Sequence, residues 1–320
     1  MPHLPADLSK VTTVPLGARA NRVSLQGFAV PPVAGRSAAD LIAGLPDILA
    51  GRDFREVVAA IVAAHRHGRP VLVALGGHVI KCGLSPVLID LMRRGIITGL
   101  VLTGSAAIHD CEIALIGETS EDVTAGLKDG SFGMARETGA AMNAAINQVR
   151  TRADAGMGAL LGEYLEKQQA PSRGNSLLAE AHSLGLPATV HVAIGADIIH
   201  MHPNADGAAT GQATMNDFRL LATLASELTG GVFVNIGSAV LIPEVFLKAF
   251  TIAQNLGAQL HDFVTVDMDM IAQYRPGENV VRRPPTVGGR GFSLIGRHEI
   301  MVPLLAQAVV DALAASGDPS

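Results

Sequence analysis

Val71-Leu72-Val73-Ala74-Leu75-Gly76-Gly77-His78-Val79-Ile80-Lys81-Cys82-Gly83 decides how this chain is read. The five apolar residues follow the helix stop Gly68-Arg69-Pro70 and end on paired glycines. A short run that is apolar on both faces suits a strand covered by helices on each side, and the glycines permit a close backbone approach at its carboxyl end. The pattern recurs along the chain. Leu100-Val101-Leu102-Thr103 ends at Gly104-Ser105-Ala106, Thr189 to Ile194 ends at Gly195-Ala196-Asp197, and Val232 to Ile236 ends at Gly237-Ser238-Ala239. A fifth strand, His261 to Val266, runs into Asp267-Met268-Asp269-Met270. Helical periodicity fills 38–49, 54–67, 85–94, 107–116, 217–228, 243–256 and 298–315. Alternation of this kind predicts an α/β fold with a parallel sheet, and in such sheets ligands sit in the crevice at the strands' carboxyl ends.

Outward from these units, residues 1–36 carry scattered Pro and Gly with little periodicity and read as an irregular arm. Residues 37–320 read as a single α/β domain, with an Ala-rich helical insertion at about 133–170 whose small residues suit a contact between subunits. A homo-oligomer, dimer or tetramer, is the expectation.

Composition narrows the function. The 320 residues are 48% hydrophobic and 17% charged, which excludes disorder as the main state. A net charge of −5 without a dense basic run gives no footprint for nucleic acid. Apolar runs break well short of the roughly 18 residues that span a membrane. Cys82 and Cys111 are too few for a disulfide framework, and Met1-Pro2-His3-Leu4-Pro5 lacks the blocks of a signal peptide, so a cytoplasmic protein is expected. With no Trp and two Tyr, any site works largely without aromatic platforms.

Two nucleotide signatures are absent, the G-x-G-x-x-G fingerprint and the P-loop. What remains is the Gly76-Gly77-His78 turn, where glycine lets a backbone approach a phosphate; a plain turn is the competing reading. His191, His200 and His202, with Asp197 and Asp206, form the densest cluster of titratable groups. It suits acid–base work, since histidine titrates near neutral pH, or alternatively a divalent metal in a hydrolase; His191 also reads as a core histidine. Among the five lysines only Lys81 falls in a candidate site loop. Arg275, Glu278, Arg282 and Arg283 in a Pro- and Gly-rich loop suit a carboxylate or phosphate clamp, or a solvated basic loop.

Three pieces resemble deoxyhypusine synthase. Gly76 to Gly83, the helix that follows it, and the strand to Thr103-Gly104-Ser105-Ala106-Ala107-Ile108-His109-Asp110 are similar to the family's two NAD-holding segments. Asp217-Phe218-Arg219-Leu220, Ile236-Gly237-Ser238-Ala239-Val240, Arg275-Pro276-Gly277-Glu278 and Val302-Pro303-Leu304-Leu305 follow in the family's order. The resemblance covers about positions 68 to 315 and implies a Rossmann-like sheet with NAD as cofactor. It implies that Gly76, Gly77, His78, Thr103, Gly104, Ser105, Asp110, Gly237 and Ser238 approach the dinucleotide. Asp197, His200, His202, Lys81 and Glu278 are then the candidate catalytic groups, and Arg275, Glu278 and Arg282 the candidates for orienting substrate charge.

The departures redirect the chemistry. The family's catalytic Lys and the Trp beside it are missing from Asn279-Val280-Val281-Arg282-Arg283-Pro284, and Ile242-Pro243-Glu244 stands where the family has Lys-His-His. Arginine stays protonated and forms no imine. Polyamine transfer to a protein lysine is therefore not expected. Hydride chemistry at a C–N carbon of a small amine or amino acid is, with a metal-dependent hydrolase or a non-catalytic nucleotide-binding protein as alternatives.

Overall fold

A computed structural model of the protein describes residues 3–315. The ends of the arm and domain drawn above, residues 1–2 and 316–320, lie outside the described residues. Six parallel strands form one sheet: β1 Val71–Leu75, β2 Gly99–Thr103, β3 Ala188–His191, β4 Val232–Ile236, β5 Val264–Asp269 and β6 Arg290–Ile295. Their order is β3-β2-β1-β4-β5-β6, so the chain reverses its direction of travel between β1 and β4. That is the doubly wound Rossmann order, and the crevice at the reversal is where such sheets take ligands.

The helices are α1 Ala38–Ala43, α2 Leu49–Arg66, α3 Gly77–Lys81, α4 Ser85–Arg93, α5 Gly104–Ile116, α6 Val123–Gly126, α7 Arg136–Asn147, α8 Met157–Lys167, α9 Leu177–Leu184, α10 Gly207–Ser226, α11 Leu241–Asn255, α12 Tyr274–Pro276 and α13 His298–Ala314. A π-helix, Gly277–Arg282, continues α12.

Both faces of the sheet are apolar because both are covered. Val71, Val73, Leu75, Leu100, Leu102, Val234 and Ile236 join the core that includes residues of α2, α4 and α13. Leu72, Ala74, Val101 and Phe233 point the other way, into a core closed by α10 and α11. Phe233 stacks on Phe246 with ring centroids 3.7 Å apart, and Phe250 and Phe263 extend that cluster.

The structure moves several expected boundaries. β3 ends at His191, so Val192 to Ile194 belong to the loop after it. β5 begins at Val264 and carries Asp267 and Asp269 within the strand. Arg290–Ile295, for which the sequence pattern predicts no strand, forms a sixth strand at the sheet edge, where its exposure conceals the apolar pattern. Between 133 and 170 lie α7 and α8, whose Met142, Ala145, Ile146, Leu160 and Leu161 are buried in the chain's own core. Those side chains belong to the chain's own core, while Ala135, Ala140 and Ala144 of the same stretch are exposed. The arm exposes Leu8, Leu16, Leu25 and Phe28. Among the described residues no helix is long and apolar enough to cross a membrane.

Candidate functional site

At the point of reversal two glycines face each other. Gly76 N donates to Ile236 O at 2.9 Å, and a Cβ on Gly76 would lie 2.1 Å from Gly237 O. Only glycine lets the loops after β1 and β4 close this tightly. Next to it, a Cβ on Gly77 would lie 3.0 Å from His109 Cδ2 and 3.1 Å from Ser105 Oγ. None of the atoms nearest those two positions belongs to a carboxylate.

Beyond Gly77 a cavity of about 200 Å³ opens, bounded by Lys81, Ser105, His109, Glu112, Glu121 and Asp197 among others. Asp197 lies across the start of α5, its Oδ2 placed 2.2 Å from where a Gly104 Cβ would be. This carboxyl is 8% exposed, and its Oδ2 has no hydrogen-bond partner. Burial pushes it up to about 6. On the opposite wall, Thr119 donates to Glu112, Thr138 donates to Glu112 Oε1 at 3.0 Å, and His109 Nδ1 lies 2.7 Å from Thr119 Oγ1. Burial raises the Glu112 carboxyl, but hydrogen bonds involving His109, Thr119 and Thr138 outweigh it and leave the group below its ordinary value. Ser105, His109 and Glu112 are spaced i, i+4, i+7 and so share one face of α5.

The sequence candidates divide accordingly. Asp197, Lys81 and Ser105 meet in the cavity; Gly77 and Gly104 approach residues that line it, whereas Gly76 packs on Gly237; Thr103, its Oγ1 2.9 Å from Ser105 Oγ, caps α5 through Ala106 N. Asp110 does not belong with them. It is fully buried and accepts from Ser176 Oγ at 2.6 Å, Leu177 N at 2.7 Å and Leu178 N at 3.1 Å, which caps α9. Being one residue past His109, it is rotated about 100° away from the cavity face. Ser238 is an internal brace: its Oγ accepts from Ile242 N and its carbonyl from Asn235 Nδ2.

His202 is also reassigned. Its Nε2 lies 2.9 Å from Gly133 O and its ring packs on Gly139, tying the loop to α7. His200 accepts from Gly195 N at 3.3 Å, and His191, at the end of β3, is buried beside Thr189 and lowered by that burial to about 4. Among the described residues no three His, Cys, Asp or Glu side chains are grouped to hold a metal ion.

Arg275, Glu278 and Arg282 do not reach this cavity. Arg282 pairs with Glu278 at 2.9 Å within the π-helix, which is held under β5 by the bond from Thr265 Oγ1 to Val280 O, and Arg275 of α12 pairs with Glu244 of α11 at 3.2 Å. Charges already paired with neighbouring carboxylates make a poor clamp for a ligand elsewhere.

Sequence reasoning missed two groups. The first is the His109–Glu112 wall. The second lies at the ends of β4 and β5, where Asn235 donates to Asp267 at 2.8 Å, Asp269 stands 3.6 Å from His298 Nε2, and His298 faces His78 with centroids 5.6 Å apart. Burial raises Asp267 to about 6 and lowers His298.

A larger groove of about 890 Å³ runs between α10 and α11, lined by Phe218, Arg219, Ile252 and Leu256, but it lies away from the strand ends.

No family model and no curated protein matches the chain. Solved structures do match in fold. The ternary complex of AgrE with ornithine and NAD+ aligns with a TM-score of 0.52 at 16% identity, over 82% of this chain and 34% of AgrE. This chain therefore spans about a third of AgrE's length. A LOR/SDH protein of Methanococcus maripaludis aligns at 0.50 and 15% identity, over 88% of this chain and 74% of that one. A protein of Entamoeba histolytica assigned as a deoxyhypusine synthase aligns at 0.50 and 10% identity, over 87% and 94%. These likenesses establish a shared Rossmann-like architecture, deoxyhypusine synthase-like in its sheet and helical layers.

Proposed function

We propose that the chain binds NAD in the crevice between the ends of β1 and β4 and uses it for hydride chemistry at a C–N carbon of a small amine or amino acid. The observation that carries this reading is the close approach of Gly77 to Ser105 and His109, two residues that line the cavity, beside the glycine contact at the reversal of strand order. The fold's likeness to AgrE, a protein crystallised with ornithine and NAD+, supports it. The residues present fit the cofactor on one side more than the other. At Gly76 and Gly77 no carboxylate is among the nearest atoms, so a pyrophosphate would meet backbone without like-charge repulsion. At Gly104 the Asp197 carboxyl already covers the start of α5 and would repel one. Gly76 and Gly77 would therefore hold the phosphates, with the Thr103 and Ser105 hydroxyls nearby for sugar contacts. When bound, the nicotinamide supplies a hydride acceptor.

Thermal melts and calorimetry with NAD test this. A ligand at one hundred times its Kd adds about 2.7 kcal/mol to the native state. An unchanged melting temperature at millimolar NAD, with no heat of binding, refutes the assignment. An oligomer in the cytoplasm remains part of the proposal, now through the apolar arm; light scattering should return more than the 33.1 kDa of one chain.

A further inference from the structure

The cavity beside α5 holds an arrangement that the assignment of a cofactor does not use. Because Glu112 is ionised and accepts only, the single Thr119 hydroxyl proton goes to it, and Thr119 must then accept from His109. That fixes the proton of His109 on Nδ1 and leaves Nε2, on the same ring edge as the Cδ2 that faces Gly77, with a free lone pair. Nε2 has no hydrogen-bond partner among the described residues. The ring is part-buried, and the groups around it are Glu112 on its own helix, Lys81 at the end of α3, Glu121 in the loop before α6, and Asp197 from the loop after β3. Glu121 is occupied by Gly133 N at 2.9 Å, and Lys81 is exposed. Asp197 is the one carboxyl there that is more than nine-tenths buried and has an oxygen without a partner.

We propose that this cavity binds the ammonium group of an amine substrate, with Asp197 as its counter-ion and His109 as the general base that removes its proton. Thr119 and Glu112 act as positioning residues that fix the tautomer. In the step, one N–H bond of the substrate ammonium breaks and its proton bonds to His109 Nε2. The substrate nitrogen keeps the electron pair, and the imidazolium so formed is stabilised by Glu112 through Thr119. A neutral amine is the form whose lone pair assists loss of hydride from the adjacent carbon, so this inference rests on the function proposed above and deepens it. It replaces His200 and His202 as the acid–base candidates, since His202 is tied to Gly133 O and the Nε2 of His200 is buried.

The test uses the full chain labelled with 15N-histidine, with His109 assigned by its loss in His109→Gln. The expected result is the Nδ1–H tautomer in the wild type, with Glu112→Gln and Thr119→Val each losing that tautomer preference and populating Nε2–H. L-Ornithine and putrescine, with and without NAD, should move the Nε2 resonance saturably, while valerate, which lacks the ammonium, should not. Asp197→Asn should weaken both amines at least tenfold, on the order of a lost charged partner. An Nε2–H tautomer in the wild type, a response to valerate equal to that of the amines, or an Asp197→Asn variant that binds amines unchanged each overturns the proposal. If NAD binds but neither amine moves His109 in its presence, the amine site falls and the cofactor reading stands. If the amines behave as expected and NAD never binds, the reverse holds.

Discussion

The helical layer of α7–α9 and the cavity at the end of β2 use buried aspartate in opposite ways. Asp110 takes three donors at the start of α9, and Asp217 takes Gly158 N at 2.9 Å and Val190 N at 2.7 Å, joining α8 to β3. Asp197 is nearly as buried, yet its Oδ2 has no partner and no donor among the described residues reaches its other oxygen; Asp217 also leaves Oδ1 unpartnered, but its Oδ2 accepts twice. A buried carboxylate with donors holds its surroundings together; one without them raises the energy of the folded state until a ligand arrives. Desolvation is common to both regions and lifts Asp110 to about 6 and Asp217 to about 7. Perturbation of a carboxyl alone therefore does not locate function here. The partner count does.

The largest effect should follow from Asp110→Ala, which strands one hydroxyl and two backbone donors in the core. Urea unfolding should show a loss of about 3 kcal/mol with amine binding intact in whatever remains folded. A loss below about 1 kcal/mol would erase the distinction between the two regions.

Asp197→Asn should do the reverse. Relative to the wild type it should gain about 1 kcal/mol at pH 7.5 while losing amine binding. The sign follows from linkage: a carboxyl raised from 3.8 to about 6 in the folded protein takes up its proton more readily there than in the unfolded chain. Its contribution to stability therefore falls as pH rises between about 4 and 6, and is least favourable above 6. The advantage of Asn should shrink as pH is lowered towards 4.5, where the wild-type group is itself neutral. Melting temperatures of the pair across pH 4.5–8 would show it, and a constant difference would break the comparison.

The smallest change is expected for His202→Gln, which keeps a donor towards Gly133 O. Stability should shift by about 0.5 kcal/mol at most, and amine affinity should stay within twofold. A tenfold loss of amine binding would return His202 to the functional set.

The sheet was legible because its strands are buried on both faces and each ends in small residues; period and punctuation coincide. β6 escaped because Arg290 and Gly291 at an edge strand carry no such run. The cavity was half legible. Asp197 and Lys81 stood out by type, whereas His109 and Glu112 depend on where α5 begins. Starting that helix at 107 leaves His109 and Asp110 as neighbours in a turn. Starting it at Gly104, where Thr103 caps it, puts Ser105, His109 and Glu112 on one face and turns Asp110 inward. A shift of three residues in one boundary exchanges a helix cap for a candidate base. The Glu278–Arg282 pairing was not visible because it lies in a π-helix, whose widened turn sequence periodicity does not announce, and that of Arg275 with Glu244 because it joins α12 to α11, far apart in sequence.

The reversal between β1 and β4 also has a cost in time. Val71 pairs with Val232, so 161 positions separate the two central strands, counted from 71 to 232. At about 5–20 residues per second, a ribosome takes roughly 8 to 32 s to make that interval. For that period β1 can pair with β2 on one side only, and its other edge, Val71 to Leu75, waits as an unpaired apolar template. The glycine contact at Gly76 and Gly237, which joins the ends of β1 and β4 in the finished protein, thus cannot form until the chain has been made as far as Gly237.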